Sequence, residues 1–159
     1  MLAGANRTWL SHPNPHFAPG TARWHSEAAW LLERPGGGSS GASGGGGSGF
    51  YLFVNHGQCC AGINSTYNIV VGRSARVQGP YLDRNGVPML QGGGTMLADY
   101  DAHPPFHGPG HFGVCWGCGD SGEDVVSFHY DTPPGHPGFD TAAFFLLRWD
   151  AEGWPRVEW

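Results

Sequence analysis

The sequence predicts an all-β fold, and three observations carry that expectation. Short runs of aromatic and β-branched residues recur along the chain, each bounded by Gly, Pro, Asn or Asp; punctuated runs of this kind read as strands joined by turns. A helical period is scarcely visible anywhere. The 159 residues include 28 Gly and 13 Pro, a stock of turn-formers suited to a sandwich, barrel or propeller of many short strands.

Residues 1–29 carry Pro13, Pro15 and Pro19 without strand or helix period and are expected to form an irregular lead-in. The apolar run Ala28–Leu32 ends at Glu33-Arg34-Pro35. Residues 36–49 read GGGSSGASGGGGSG, which can bury nothing and predicts a flexible loop. Strands are expected at Phe50–Asn55, Tyr67–Arg73, Thr95–Leu97, Phe112–Val114, Val125–Tyr130 and Ala143–Arg148, with turns at Gly79-Pro80 and Asn85-Gly86. With four antiparallel strands to a propeller blade, a chain of this length holds two to three blades. That is too few to close a ring.

Composition narrows the function classes. Charged residues make up 13% of the chain, and the formal net charge is −5. The eight basic residues form no run, so no basic stripe invites a nucleic acid. No apolar stretch approaches the roughly 20 residues of a membrane-spanning helix. Neither a nucleic acid nor a membrane is therefore expected as a partner, and a monomer is expected. The first residues lack the basic head and apolar core of a signal peptide. Seven Trp, five Tyr and nine Phe supply flat faces for stacking on sugars, although such rings are also ordinary core material.

From Tyr51 onward a series of landmarks accumulates. YLF at Tyr51–Phe53 is followed by Cys59-Cys60, NSTYNI at Asn64–Ile69, VGRS at Val71–Ser74 and GPYLDRNG at Gly79–Gly86. GGGT at Gly92–Thr95, GPGH at Gly108–His111, HYD at His129–Asp131 and WDAEGWP at Trp149–Pro155 complete it. In this order the series resembles the second half of the arabinanases and related enzymes of glycoside hydrolase family 43. The resemblance runs from about Leu32 to Val157. It implies that residues 30–159 are the C-terminal blades of a five-bladed β-propeller. It also implies extracellular, inverting hydrolysis of α-L-arabinofuranosyl linkages in plant cell-wall arabinan or a related polysaccharide.

Inversion needs one carboxylic acid to protonate the leaving oxygen and one carboxylate, roughly 6.5–9.5 Å away, to activate water. In the family the acid is a Glu in an Ile-Glu-Ala-Pro-like string. Leu32-Glu33-Arg34-Pro35 is the string taken to match, which makes Glu33 the expected proton donor. The family's two aspartates should precede residue 1, since residues 1–30 contain no Asp. The isolated chain is accordingly expected to be an inactive fragment. The alternative is a carbohydrate-binding propeller remnant without catalysis. Arg73, Ser74 and His129 are the expected substrate-binding residues. His111, in GPGH, is expected to face a central calcium ion or water on the propeller axis; no cofactor is expected to be required.

The four cysteines leave two readings open. Cys115-x-x-Cys118 with Cys59-Cys60 has the count of a Cys₄ zinc site, although adjacent side chains seldom face one tetrahedral centre. Disulfides suit an extracellular chain better. The sequons Asn6-Arg7-Thr8 and Asn64-Ser65-Thr66 point the same way.

Overall fold

The computed structural model describes residues 26–34, 49–101, 107–131 and 140–159. These form two four-stranded antiparallel sheets and, among the described residues, no α-helix. The first sheet runs β1 (Ser26–Arg34), β2 (Gly49–His56), β3 (Asn68–Ser74), β4 (Thr95–Ala98). The second runs β5 (His107–Cys115), β6 (Val125–Asp131), β7 (Asp140–Trp149), β8 (Pro155–Glu158). Each strand pairs with its sequence neighbour, so each sheet is a simple meander, the pattern of a propeller blade. No described helix is long and apolar enough to cross a membrane.

The strand runs expected from the sequence are all present, most of them longer than their apolar centres. Two features were not expected. The lead-in expected through residue 29 turns to strand at Ser26, because Ser26 and Glu27 pair with His56 and Asn55 of β2. The pairing then shifts before Trp30 meets Phe53, and Ala28 within that bulge has φ 50°. A bulge breaks the period-two pattern by which strands are read. The short β8 is the second, and its register is supplied by β7. The predicted loop at 36–49 falls outside the described residues except for Gly49, which opens β2.

One core joins the sheets. Tyr51, Phe53, Ile69 and Val71 of the first meet Phe112, Val126, Phe128 and Leu147 of the second. Phe53 and Phe112 stack with ring centroids 4.0 Å apart. The Tyr51 hydroxyl donates across the interface to the Gly153 carbonyl at 2.6 Å. On the far face of the first sheet, Val54 and Val70 pack under Met89. Because β2 and β3 are apolar on both faces, they read in the sequence as nearly continuous hydrophobic runs.

Candidate active site

The site is organised by a buried amide. Asn55, fully buried near the end of β2, donates from Nδ2 to the carbonyls of Asn68 (3.1 Å) and Pro109 (3.3 Å). Its Oδ1 accepts the backbone N–H of His111 at 3.0 Å. One side chain therefore ties β2 to β3 and to the β5 segment of the other sheet. His111 has φ 53°, a conformation few non-glycine residues adopt, and the bond from Asn55 helps hold it there. The preceding Gly110 is required by contact, since an added Cβ would lie 1.9 Å from Cε1 of Tyr67. The GPGH string thus lets the Tyr67 ring lie directly against the backbone of β5.

Tyr67 is buried, and its hydroxyl donates to Oε1 of Glu27 at 2.8 Å. Burial first, then the hydrogen bond to Glu27 and that carboxylate's charge, push the phenol well above its ordinary range. The hydroxyl therefore keeps its proton and serves Glu27 as a donor. The His129 ring stacks on Tyr67 with centroids 6.1 Å apart, and His111 lies 4.9 Å from His129. Glu27, Tyr67, His111 and His129 form one cluster, with the Glu27 side of it open to solvent. Ala28 and His111, both non-glycine residues at positive φ, flank this cluster. Such strain costs roughly 1–3 kcal/mol per residue and concentrates at functional sites.

A third such residue, Cys60 (φ 64°), lies in the adjoining loop. The Ala61 N–H there donates to Oδ2 of the buried Asp131, at the end of β6, at 3.1 Å. The cysteines pair as two disulfides, Cys59–Cys60 and Cys115–Cys118. Paired in this way they offer no thiolates to a zinc ion.

The residues expected from the sequence divide between the two ends of the first sheet. His111 and His129 meet at the Glu27 end. Glu33 pairs with Phe50, and Phe50 with Ser74, so Glu33, Arg73 and Ser74 occupy the other end. The β2 partners of Glu27 and Glu33, Asn55 and Phe50, are five residues apart, which separates the two glutamates by about 17 Å at ~3.3 Å per residue. Glu33 is exposed. Glu27 is not among the residues expected from the sequence, yet a signal for it is present. Ser26-Glu27-Ala28-Ala29 keeps the Glu-Ala of an Ile-Glu-Ala-Pro-like string, whereas Leu32–Pro35 keeps the Glu and the Pro.

Calcium takes 6–8 oxygen ligands. Among the described residues no group of three or more His, Cys, Asp or Glu side chains could hold a metal ion. The imidazoles of His111 and His129 do not make a calcium cage.

No family model matches the chain. Its relatives are nonetheless specific. It is 39% identical over 111 residues to the extracellular exo-α-(1→5)-L-arabinofuranosidase ArbA of Cellvibrio japonicus, covering 69% of this chain and 30% of that enzyme. It superposes on the family 43 endo-arabinanase of Bacillus licheniformis with a TM-score of 0.64 and 31% identity, covering 82% of this chain and 38% of the other. The chain is homologous to the family 43 arabinanases. The structure of the Cellvibrio cellulosa α-L-arabinanase with arabinohexaose matches at a TM-score of 0.67 and 32% identity, over 85% of this chain and 37% of that one. The chain spans about 30% of the length of ArbA, and its two sheets match two blades of the propeller of the family 43 arabinanases.

Proposed function

We propose that this chain supplies the proton-donating side of an inverting arabinan hydrolase, acting outside the cell as a monomer, with Glu27 as the acid. The observation that supports this reading is the clamp on Glu27. Tyr67 holds Oε1 at 2.8 Å, which leaves Oε2 to carry a proton towards the leaving glycosidic oxygen. The exposed position of Glu27 gives a sugar access to it. His111 and His129 line the same cluster and can hydrogen-bond sugar hydroxyls. Water activated by a carboxylate from another blade attacks the anomeric carbon from the opposite face. Two carboxyl groups and water suffice for this chemistry.

A chimera tests the assignment by joining the N-terminal blades of a homologous arabinanase to this chain. Proton donation by a positioned acid is worth typically 10²–10⁴-fold. Glu27→Gln should therefore lower kcat on arabinan by at least about a hundredfold while nearly sparing ligand affinity. An aryl arabinoside, whose leaving group needs less protonation, should lose less. Glu33→Gln should leave both rates within about twofold, as is usual for an exposed side chain remote from the chemistry. The reverse outcome, Glu33→Gln inactive and Glu27→Gln active, would restore Glu33 as the acid. A chimera that binds arabino-oligosaccharides without cleaving them would favour a binding module.

A further inference from the structure

The register of β1 singles out one indole beside Glu27. Glu27 pairs with Asn55, Trp30 with Phe53 and Leu32 with Tyr51. Residues directly opposite in an antiparallel pair project from one face, and alternate residues of a strand share that face. Asn55, Phe53 and Tyr51 all reach the second sheet, through Pro109, Phe112 and Gly153 respectively. Glu27, Trp30 and Leu32 therefore share the face turned towards that sheet. The bulge at Ala28 is what makes this so: at their odd spacing in a regular strand, Glu27 and Trp30 would point to opposite faces. Their β2 partners are two residues apart, which sets Trp30 about 7 Å along the sheet from Glu27 at ~3.3 Å per residue.

Trp30 is 41% exposed, whereas Leu32 on the same face is 5% exposed. The second sheet already packs against this face, so the exposure of Trp30 is not that of a sheet awaiting a neighbour. A preceding blade would cover the other face, where Leu31 lies opposite Leu52. β1 is an edge strand, and the Trp30 indole stands at the open edge of the seam between the sheets. Among the described residues its side chain stacks on no other ring and makes no hydrogen bond. The other exposed indoles are engaged: Trp116 stacks on Trp149, and Trp159 meets Phe128 and Phe145 edge-on.

We propose that the Trp30 indole is the platform on which one arabinofuranosyl unit stacks, beside the bond that Glu27 protonates. The proposal rests on the reading of Glu27 as the acid of an arabinan hydrolase. An exposed indole offers an apolar face to the C–H side of a sugar ring and an N–H to one of its hydroxyls. A ring held flat on Trp30 keeps its glycosidic oxygen turned towards Oε2 of Glu27, so the contact serves orientation as well as affinity. Trp30 is in this account a substrate-binding residue with no part in proton transfer.

Two measurements test it. In the whole chain, the indole N–H signal of Trp30, identified by its loss in Trp30→Phe, should shift saturably with arabinotriose at millimolar concentration or below. The signal of Trp116, which stacks on Trp149 beneath Arg34 at the far end, should stay in place. In the chimera, Trp30→Ala should raise KM for arabinotriose about tenfold, and Trp30→Phe, which keeps a flat ring, about threefold or less, the scale of an aromatic contact. The pH profile of kcat should be the same in both, because the acid is untouched. An unmoved Trp30 signal, an unchanged KM in Trp30→Ala, or equal losses in the two variants would overturn the platform and leave Glu27 as the acid. A chimera that is inactive yet keeps the saturable Trp30 shift would overturn the acid and leave the platform. If Trp30→Ala fails to fold, the Trp30 signal and the KM of Trp30→Phe decide.

Discussion

Replacing Gly110 by Ala should damage both stability and the Glu27 clamp, and the magnitude follows from the geometry. The new Cβ would lie 1.9 Å from Cε1 and 2.3 Å from Cδ1 of Tyr67, where carbon atoms need about 3.5–4.0 Å. The ring must therefore retreat by roughly 1.5 Å or the β5 backbone must move as far. Tyr67 is fully buried and flanked by His129, so there is no free space to take it. Overpacking of this kind costs about 1–3 kcal/mol. Retreat of the hydroxyl from its 2.8 Å bond to Glu27 adds about 1 kcal/mol, taken low because Glu27 is solvated. The expected loss is about 2–4 kcal/mol, read from urea unfolding of the whole chain. Gly86→Ala serves as the control: Gly86 has φ 81° with nothing within 4 Å of the added atom. It should cost only the left-handed penalty of about 1–2 kcal/mol. If Gly110→Ala costs no more than Gly86→Ala, or leaves Tyr67 in place as judged by its ring signals, the steric account of GPGH is wrong.

Two further outcomes follow. Asn55→Ala strips the carbonyls of Asn68 and Pro109 and the His111 N–H of their buried partner. It should cost roughly 2–4 kcal/mol in urea unfolding, at 1–3 kcal/mol for each unsatisfied group that water cannot reach; a loss under about 0.5 kcal/mol, as for a surface site, would refute its role as the tie between sheets. Tyr67 is raised in the folded state by burial and by Glu27, so its stabilising effect is complete below the unfolded value near 10 and fades as pH rises beyond it. Unfolding midpoints should fall above about pH 10 more steeply in the parent than in Tyr67→Phe, and equal slopes would refute the assignment.

Strands whose chemistry is local could be read from the residues alone. Phe50–Asn55, Tyr67–Arg73 and Val125–Tyr130 are rich in aromatic and β-branched side chains, and Gly and Pro mark many of the turns between strands, so the all-β class and the blade rhythm were legible. Ordered landmarks such as NSTYNI and GPGH carried the family as well. The start of β1 was not legible, because Ser26–Ala29 has no strand pattern and is held extended by Asn55 and His56 through a bulge at Ala28. Nor was the arrangement of the candidate site. Glu27, His111 and His129 lie on three strands in two sheets and Tyr67 immediately before a fourth, and each is locally unremarkable. Only the register of β1 on β2, the Asn55 bonds that span the sheets, and the missing side chain of Gly110 bring them together. The same register sends Glu33, Arg73 and Ser74 to the opposite end. Side-chain periodicity is a property of neighbours along the chain, whereas a site is a property of neighbours across it, and that is decided by which strands pair, and at which offset, when the core closes.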